Sequence, residues 1–323
     1  MSEFDPGNIT ILFADSGSHL AYRIGEILNV KVINARPDGD YADGEIHVKI
    51  PESIRGKSAY IIGSTCQPAF NADQIRFLSG AVFRAGATPK LVIPYLGYSR
   101  QDRVNGREAD SAALHIQSLC SPVPINHVIT FDVHSSAILS TFILFGTRVE
   151  HLYASQFAVP YIKQNVLVDM VASPDVGGVA RAKKWRDLLG LDTPIAICSK
   201  SRPQPNVVNQ IEVVGDVRGF HVLVPDDMID TGGTTCRVAD ALLNNGAASV
   251  SVFASHGLFS GEAIKKLDDS GINRVIITDS LYHPPEKLQT SRLKIEILKM
   301  SPLIAEAIKA IENDGSISTL FLD

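Results

Sequence analysis

The chain has few cysteines. Cys66, Cys120, Cys198 and Cys236 are widely spaced in 323 residues and form no Cys-x-x-Cys pair, which leaves core thiols in a reducing cytoplasm as the expectation. It has no dense basic tract. With a formal net charge of −5, duplex nucleic acid is excluded as a partner. No stretch approaches the roughly 20 apolar residues that a membrane helix needs. The first residues, Met1 to Asp15, are acidic and show no positive region ahead of an apolar core, so no signal peptide is evident. A cytoplasmic location is expected. Gly-x-Ser-x-Gly, His-Glu-x-x-His and a Cys-His signature are all missing, and no low-complexity segment or short-period repeat is found. Any chemistry must therefore come from positioning and electrostatics rather than from a covalent nucleophile.

What is present is a chain that is 45% hydrophobic and 20% charged, long enough for about two globular domains. Short β-rich apolar runs alternate with helical patterns. Ile9–Phe13, Tyr60–Gly63, Lys90–Pro94, His127–Phe131, Asp169–Ala172, Ile195–Ile197, His221–Val224, Ser249–Ala254 and Arg274–Thr278 read as strands. Several are continuously apolar, as parallel strands covered on both faces are. Ser18–Leu28, Ala72–Ala85, Ala112–Cys120, Val179–Leu189, Thr235–Asn244 and Gly261–Ser270 read as helices. The alternation predicts an α/β protein of two similar domains, each with a mainly parallel sheet of about five strands flanked by helices. The division is expected at 1–151 and 152–301. A C-terminal helix and tail over 302–323 is expected to pack back on the first domain. That helix has Ser301 as a cap, Pro302 at its first position and Asn313-Asp314-Gly315 as its stop. Tyr41-Ala42-Asp43-Gly44-Glu45, followed by alternation through Ile46, Val48 and Ile50, predicts a projecting antiparallel hairpin.

The most informative stretch is Val222-Leu223-Val224-Pro225-Asp226-Asp227-Met228-Ile229-Asp230-Thr231-Gly232-Gly233-Thr234. A buried-type strand ends in paired acids, and a glycine turn then opens a helix. Glycines can turn backbone N–H groups inward, and a helix N-terminus adds positive potential for a phosphate. Asp226 and Asp227 can hold ribose hydroxyls or a magnesium ion. No Gly-Lys-Ser/Thr follows this turn, so it is not a Walker A loop. The bland alternative is a tight turn with solvated acids. Four further constellations are each ambiguous alone. Asp132-Val133-His134 suits magnesium or a phosphate oxygen, or is a hydrogen-bonded strand-end pair; a histidine ligand is unusual for magnesium. Asp175, ahead of Gly177-Gly178, suits the same chemistry or an Asx turn. Arg100, Gln101 and Asp102 follow Tyr95 and Tyr98 in a loop suited to phosphate and base, or merely solvated. Lys200-Ser201-Arg202-Pro203-Gln204-Pro205-Asn206 is a cationic loop that its prolines keep from helix. It closes over a polyphosphate or is a charged surface hairpin.

Taken together and in this order, these pieces resemble the ribose-phosphate diphosphokinase, or phosphoribosyl-pyrophosphate (PRPP) synthetase, family, whose fold is that of the type I phosphoribosyltransferases. The similarity covers nearly the whole chain and includes His256-Gly257-Leu258-Phe259-Ser260-Gly261. The resemblance implies Mg2+-dependent transfer of a diphosphoryl group from ATP to the C1 hydroxyl of ribose 5-phosphate. It implies that Tyr41, Asp43, Gly44, Glu45, Arg100, Gln101 and Asp102 bind ATP. Asp226, Asp227, Asp230, Thr231, Gly232, Gly233 and Thr234 would hold ribose 5-phosphate, with Arg202. His134, Asp175 and Asp132 would lie at metal sites, and Lys200 and Arg202 would be the catalytic cations. It also implies self-association, with a dimer as the smallest working unit and a hexamer usual, and regulation by phosphate and ADP, for which Ser53, Arg55 and Ser318 match. The run after Asp102, the segment after Cys66 and the residues after His134 depart from the family wording and leave these matches intact. A PRPP-consuming phosphoribosyltransferase would share only the ribose loop. A non-catalytic associated subunit remains a second alternative.

Overall fold

In the computed structural model the described residues are all except 1–3, 37, 202–209, 290 and 322–323; of Lys200, Ser201 and Gln210 only the backbone is described. Contacts divide the chain into two units. Unit 1 comprises residues 1–153, 280–282 and 300–321, and unit 2 comprises 154–279, 283–299 and the last two residues.

Unit 1 runs β1 (Ile9–Phe13), α1 (Ser18–Leu28), β2 (Val32–Ile33), β3 (Ser58–Ile62), α2 (Phe70–Arg84), β4 (Thr88–Ile93), α3 (Ser111–Cys120), β5 (His127–Phe131), α4 (Leu139–Ile143) and β6 (Arg148–Leu152). Its sheet has six strands in the order β2-β1-β3-β4-β5-β6. Every pairing is parallel. The central strands are buried on both faces, which is why their sequences are mainly apolar. Because the strands are parallel, all their carboxyl ends open on one edge, and the chain leaves that edge through the loops of interest. Strand order reverses between β1 and β3, the place where open α/β sheets take ligands.

Unit 2 runs α5 (Ser155–Asn165), β7 (Met170–Ser173), α6 (Val179–Leu189), β8 (Ala196–Ser201), β9 (Gln210–Val214), β10 (His221–Ile229), α7 (Gly233–Asn244), β11 (Ser249–Gly257), α8 (Ala263–Asp268), β12 (Arg274–Thr278), α9 (Pro285–Gln289) and β13 (Lys294–Leu298). Its seven strands lie in the order β13-β12-β11-β10-β7-β8-β9. Only β8–β9 pairs antiparallel among the described residues, with Lys200 opposite Ile211. One face of the sheet packs on α7 and α8 through Val238, Leu242 and Leu267. The other packs on α5 and α6, where Trp185 meets Phe253 with ring centroids 4.6 Å apart. Among the described residues no helix is long and apolar enough to cross a membrane.

The two mainly parallel sheets agree with the expected class, and three details are corrected. The sheets hold six and seven strands rather than about five, because edge strands β2, β6, β9 and β13 were not recognised. The expected projecting hairpin has no strand ladder: residues 41–50 form a turn with irregular limbs, tied by Lys49 N donating to Ala35 O at 2.8 Å. The antiparallel hairpin of the protein is β8–β9 instead. Finally, Ser301 is the first helical residue rather than the cap of its helix, α10 (Ser301–Glu312); Met300 takes the cap position.

Helix α10 belongs to unit 1, where it packs against α1. Its last residue is tied to the sheet by a buried ionic contact. The Tyr60 hydroxyl, on β3 and without exposed surface, donates to Glu312 Oε1 at 2.7 Å. Lys90 Nζ, from β4, donates to the same oxygen at 2.6 Å and lies 5.4 Å from the Tyr60 ring centroid. Burial, and then the Glu312 charge, push the Tyr60 phenol well above its ordinary range. Removing one partner of such a buried pair strands the other. Glu312→Ala is therefore expected to cost about 3 kcal/mol of stability in urea unfolding; a loss below about 0.5 kcal/mol would show that the contact is not stabilising.

Candidate active site

Toward the carboxyl edge of the unit 2 sheet, β7 leads to Asp175 and its neighbour β10 carries Asp226 and Asp227; the backbone of Lys200 lies one residue before the end of β8, on the other side of β7. Lys200's side chain and Arg202 lie outside the described residues. Strand β10 runs further than its apolar run indicates, to Ile229, because β11 continues beside it and pairs Asp226 with Ala254 and Met228 with His256. The paired acids are thus held inside a strand rather than on a loop.

Asp227 is 4% exposed and Asp226 is half-buried. One guanidinium spans both. Arg181 Nη1 donates to Asp226 Oδ1 at 2.6 Å, and Nη2 lies 3.1 Å from Asp227 Oδ1. The Asp227 N–H also donates to Asp226 Oδ1 at 2.9 Å. Burial, followed by the adjacent Asp227 carboxylate, pushes the Asp226 carboxyl up to about 7 against the opposing pull of Arg181. A buried acidic pair with a raised pKa favours a cation, a hydroxyl donor or a proton.

Arg181 was missed from sequence, although a signal exists. It sits in the first turn of α6, where a cation opposes the helix dipole. An arginine placed there calls for facing anions. Asp175 lies in the turn that precedes the same helix. Its Oδ1 accepts from Gly178 N at 2.9 Å, and Ser173 Oγ donates to Asp175 O at 2.6 Å.

The glycine loop follows. Gly232 has φ +73 and forms the cap of α7; a Cβ there would lie 3.3 Å from Ala263 O, so backbone and space both require glycine. The helix begins at Gly233, two residues earlier than the pattern predicts. Segment 257–260 braces the loop: Leu258 N and Phe259 N donate to Ile229 O at 2.8 and 3.2 Å, and Ser260 N donates to Asp230 O at 3.0 Å. Two cations that the motif does not contain lie beside it. Arg237 Nη2 donates to Thr234 Oγ1 at 3.4 Å, and Lys266 Nζ donates to Thr231 O at 3.5 Å. Thr231 is exposed. The loop offers donors and positive charge to an anion at the start of α7.

In unit 1, Arg100 and Gln101 are exposed after β4, and Asp102 is half-buried. Their loop is held by Gly97 N donating to Thr65 Oγ1 at 2.7 Å and Ala112 N donating to Gln101 O at 3.2 Å. Tyr98 has φ +61 and its ring lies 4.8 Å from that of buried His115, whose pKa burial lowers to about 4. Asp132 and exposed His134 follow neighbouring β5. They do not share a face of an extended segment, because Asp132 has φ +36. Val133 N between them donates to His151 Nε2 at 3.2 Å. The turn at Tyr41, Asp43, Gly44 and Glu45 is exposed on the same unit, closed by Tyr41 N to Glu45 O and Gly44 N to Tyr41 O, both 2.9 Å. No group of three or more His, Cys, Asp or Glu side chains is placed to hold a metal ion among the described residues.

Comparison with known proteins covers the whole of this arrangement. Residues 9–121 match the family model described as the N-terminal domain of ribose phosphate pyrophosphokinase, and residues 192–322 match the phosphoribosyl synthetase-associated domain. A ribose-phosphate pyrophosphokinase of Pasteurella multocida is 37% identical over 97% of this chain and 99% of its own. One from Caldanaerobacter subterraneus is 38% identical over 97% of this chain and 98% of its own. The crystal structure of phosphoribosylpyrophosphate synthetase from Mycobacterium smegmatis superimposes with a TM-score of 0.85 at 32% identity, over 95% of this chain and all of that one. By length, sequence and fold, this chain belongs to the ribose-phosphate pyrophosphokinase family.

Proposed function

We propose that this chain transfers the β,γ-diphosphoryl group of ATP to the C1 hydroxyl of D-ribose 5-phosphate, giving PRPP and AMP. The observation that carries the reading is the buried Asp226–Asp227 pair leading into the Gly232 loop, in a chain related along nearly its full length to this family. Asp226 and Asp227 accept the ribose hydroxyls, and the amides and hydroxyls of Thr231, Gly232, Gly233 and Thr234 take the 5-phosphate, with Asp230 fixing the loop. Arg202 is assigned to the same substrate. Tyr41, Asp43, Gly44 and Glu45 read adenine, while Arg100, Gln101 and Asp102 address the rest of ATP. Holding both reactants rigidly supplies orientation, which is a large share of the barrier in phosphoryl transfer. Lys200 and Arg202 stabilise the negative charge that grows in the transition state.

Magnesium prefers oxygen ligands, keeps several waters and is held by one or two carboxylates together with substrate phosphates. Asp132 and Asp175, both half-buried at strand ends, are donors of that kind, so the residues fit an ion carried in by the nucleotide. We assign Asp132, His134 and Asp175 to magnesium sites. When bound, the ion offsets the charge of the triphosphate. Self-association with a dimer as the working unit belongs to the same reading, as does a response to phosphate and ADP.

Release of AMP from ATP only in the presence of ribose 5-phosphate is the direct test; no turnover at any magnesium concentration would refute the assignment. Lys200→Ala is expected to lower kcat by about 10²–10³ with little change in KM for ribose 5-phosphate. A near-normal kcat would remove Lys200 from the mechanism. Asp226→Ala is expected to raise KM for ribose 5-phosphate at least tenfold by about the worth of one charge-assisted bond, and an unchanged KM would contradict its role. Because burial and the neighbouring Asp227 charge raise the Asp226 pKa, kcat/KM for ribose 5-phosphate should climb with pH above the ordinary carboxylate range, as Asp226 loses its proton, and then level. Asp227→Asn removes the neighbouring charge and should move the climb to lower pH. A climb that stays in place assigns it to another group.

A further inference from the structure

The turn at residues 41–45 has no strand ladder behind it, yet it is proposed to read a base, which demands a fixed position. Its internal bonds are local. Besides the two backbone bonds that close it, Glu45 N donates to Asp43 Oδ1 at 3.1 Å. What fixes the whole turn must lie at its root.

Arg36 occupies that root. Its Nε donates to Asp40 Oδ1 at 3.1 Å and its Nη2 pairs with Asp40 Oδ2, forming a two-pronged fork. Its Nη1 donates to Asp15 Oδ2 at 2.7 Å. The side chain keeps only 12% of its surface exposed. Asp15 is itself fixed, because Gln74 on α2 is fully buried and grips it twice. Gln74 Nε2 donates to Asp15 Oδ2 at 2.9 Å, and Gln74 Oε1 accepts from Asp15 N at 2.8 Å. Asp40 in turn accepts from His47 N, on the far limb of the turn, at 3.3 Å. The His47 ring lies 5.0 Å from that of Tyr41.

A continuous line of bonds thus runs from helix α2 to the carboxyl end of β1, and through one guanidinium to both limbs of the turn. Each junction uses a charged group or an amide with its donors and acceptors occupied in fixed directions. The anchor at Asp15 lies at the point in the unit 1 sheet where strand order reverses. A lysine cannot reproduce the fork, since an ammonium is a point charge without the planar donor geometry.

We propose that Arg36 is a positioning residue for nucleotide recognition: through Asp40 and Asp15 it holds the 41–45 turn in its base-reading position without touching substrate itself. The inference rests on the reading of that turn as the adenine site, and it makes ATP affinity sensitive to a residue outside the site.

The test compares wild type with Arg36→Gln, Arg36→Lys, Asp40→Asn and Glu45→Ala in steady-state kinetics and in amide hydrogen exchange of a peptide spanning 38–49. Arg36→Gln is expected to raise KM for ATP about tenfold, equivalent to ~1.4 kcal/mol. KM for ribose 5-phosphate should stay within about twofold, and exchange should quicken in 38–49 while peptides from β1 and β3 are unchanged. Arg36→Lys should recover part of the affinity but not all of it. Asp40→Asn severs the same fork from its exposed side and should reproduce the ATP effect, which keeps the test valid where Arg36→Gln fails to fold. An unchanged KM for ATP in Arg36→Gln and Asp40→Asn, with Glu45→Ala raising it, overturns the positioning role alone. If Glu45→Ala also leaves KM for ATP unchanged, the adenine reading falls and the inference falls with it. Parallel loss of every kinetic parameter and of thermal stability in Arg36→Gln would show a general structural role and would also overturn it.

Discussion

Two carboxylates on consecutive residues at the end of a buried strand repel each other, and the carboxyl edge of unit 2 is organised around that repulsion. Asp227 is almost removed from water and Asp226 half so, where Coulomb repulsion is several-fold stronger than at the surface. Arg181 supplies one positive charge to the pair from the first turn of α6, a position that opposes the helix dipole. Burial first, and the Asp227 charge after it, raise the pKa of Asp226 against that pull. A buried acidic pair of this kind favours groups that donate hydroxyl hydrogens or bring positive charge. The same logic explains the braces from Leu258, Phe259 and Ser260, which hold Ile229 and Asp230 without adding charge.

Parallel topology places this chemistry. In each sheet the strands end on a common edge, and loops from neighbouring strands present their side chains side by side: Arg100 and Gln101 beside Asp132 and His134 in unit 1, Asp175 beside Asp226 in unit 2. The sheet supplies the spacing, and the loops only need the right residues. A ligand cradle made this way is precise because its supports are strands buried on both faces.

That precision was only partly readable in the sequence. Strands β1, β5 and β12 are legible to the residue because double-sided burial makes them mainly apolar, β-branched runs. Edge strands are not. Arg148-Val149-Glu150-His151-Leu152 and Lys294-Ile295-Glu296-Ile297-Leu298 carry charges that one neighbour and partial exposure tolerate. Helix α5 was hidden by Pro160, which it contains in its interior. The aspartates and the glycine turn were legible because their residue types have few other uses in that order. Lys266 was not, because it reaches the loop from another element and only the fold brings it there; Arg181 left only the weaker signal of a cation at a helix start, and Arg237 lies one turn beyond the motif on α7. The turn after Tyr41 read as a hairpin by alternation of Ile46, Val48 and Ile50; those residues pack inward or lie half-buried without acquiring a partner strand, and side-chain ties took the place of the ladder.

Backbone strain offers a separate measure of how far the structure commits itself to these loops. Among the described residues, five that are not glycine have positive φ: Asn29, Tyr98, Asp132, Phe259 and Asp314. Asn29 and Asp314 end helices, where the left-handed conformation is ordinary. The other three lie in the segments after β4, β5 and β11. Tyr98 and Phe259 are aromatic residues for which such a φ costs on the order of 1–3 kcal/mol. Strain of that size persists only where surrounding contacts over-determine the conformation. They do so here: Tyr98 lies between the Gly97–Thr65 bond and the His115 ring, Asp132 N donates to Leu152 O at 3.1 Å, and Phe259 is 2% exposed with its N–H on Ile229 O. A loop whose only duty was to connect elements would relax by substitution to glycine or asparagine. Keeping two aromatic residues in costly conformations after β4 and β11 means that the positions of the neighbouring Arg100, Gln101 and Asp230 are being held against an energetic preference. Such rigidity is what in-line transfer between two bound substrates requires.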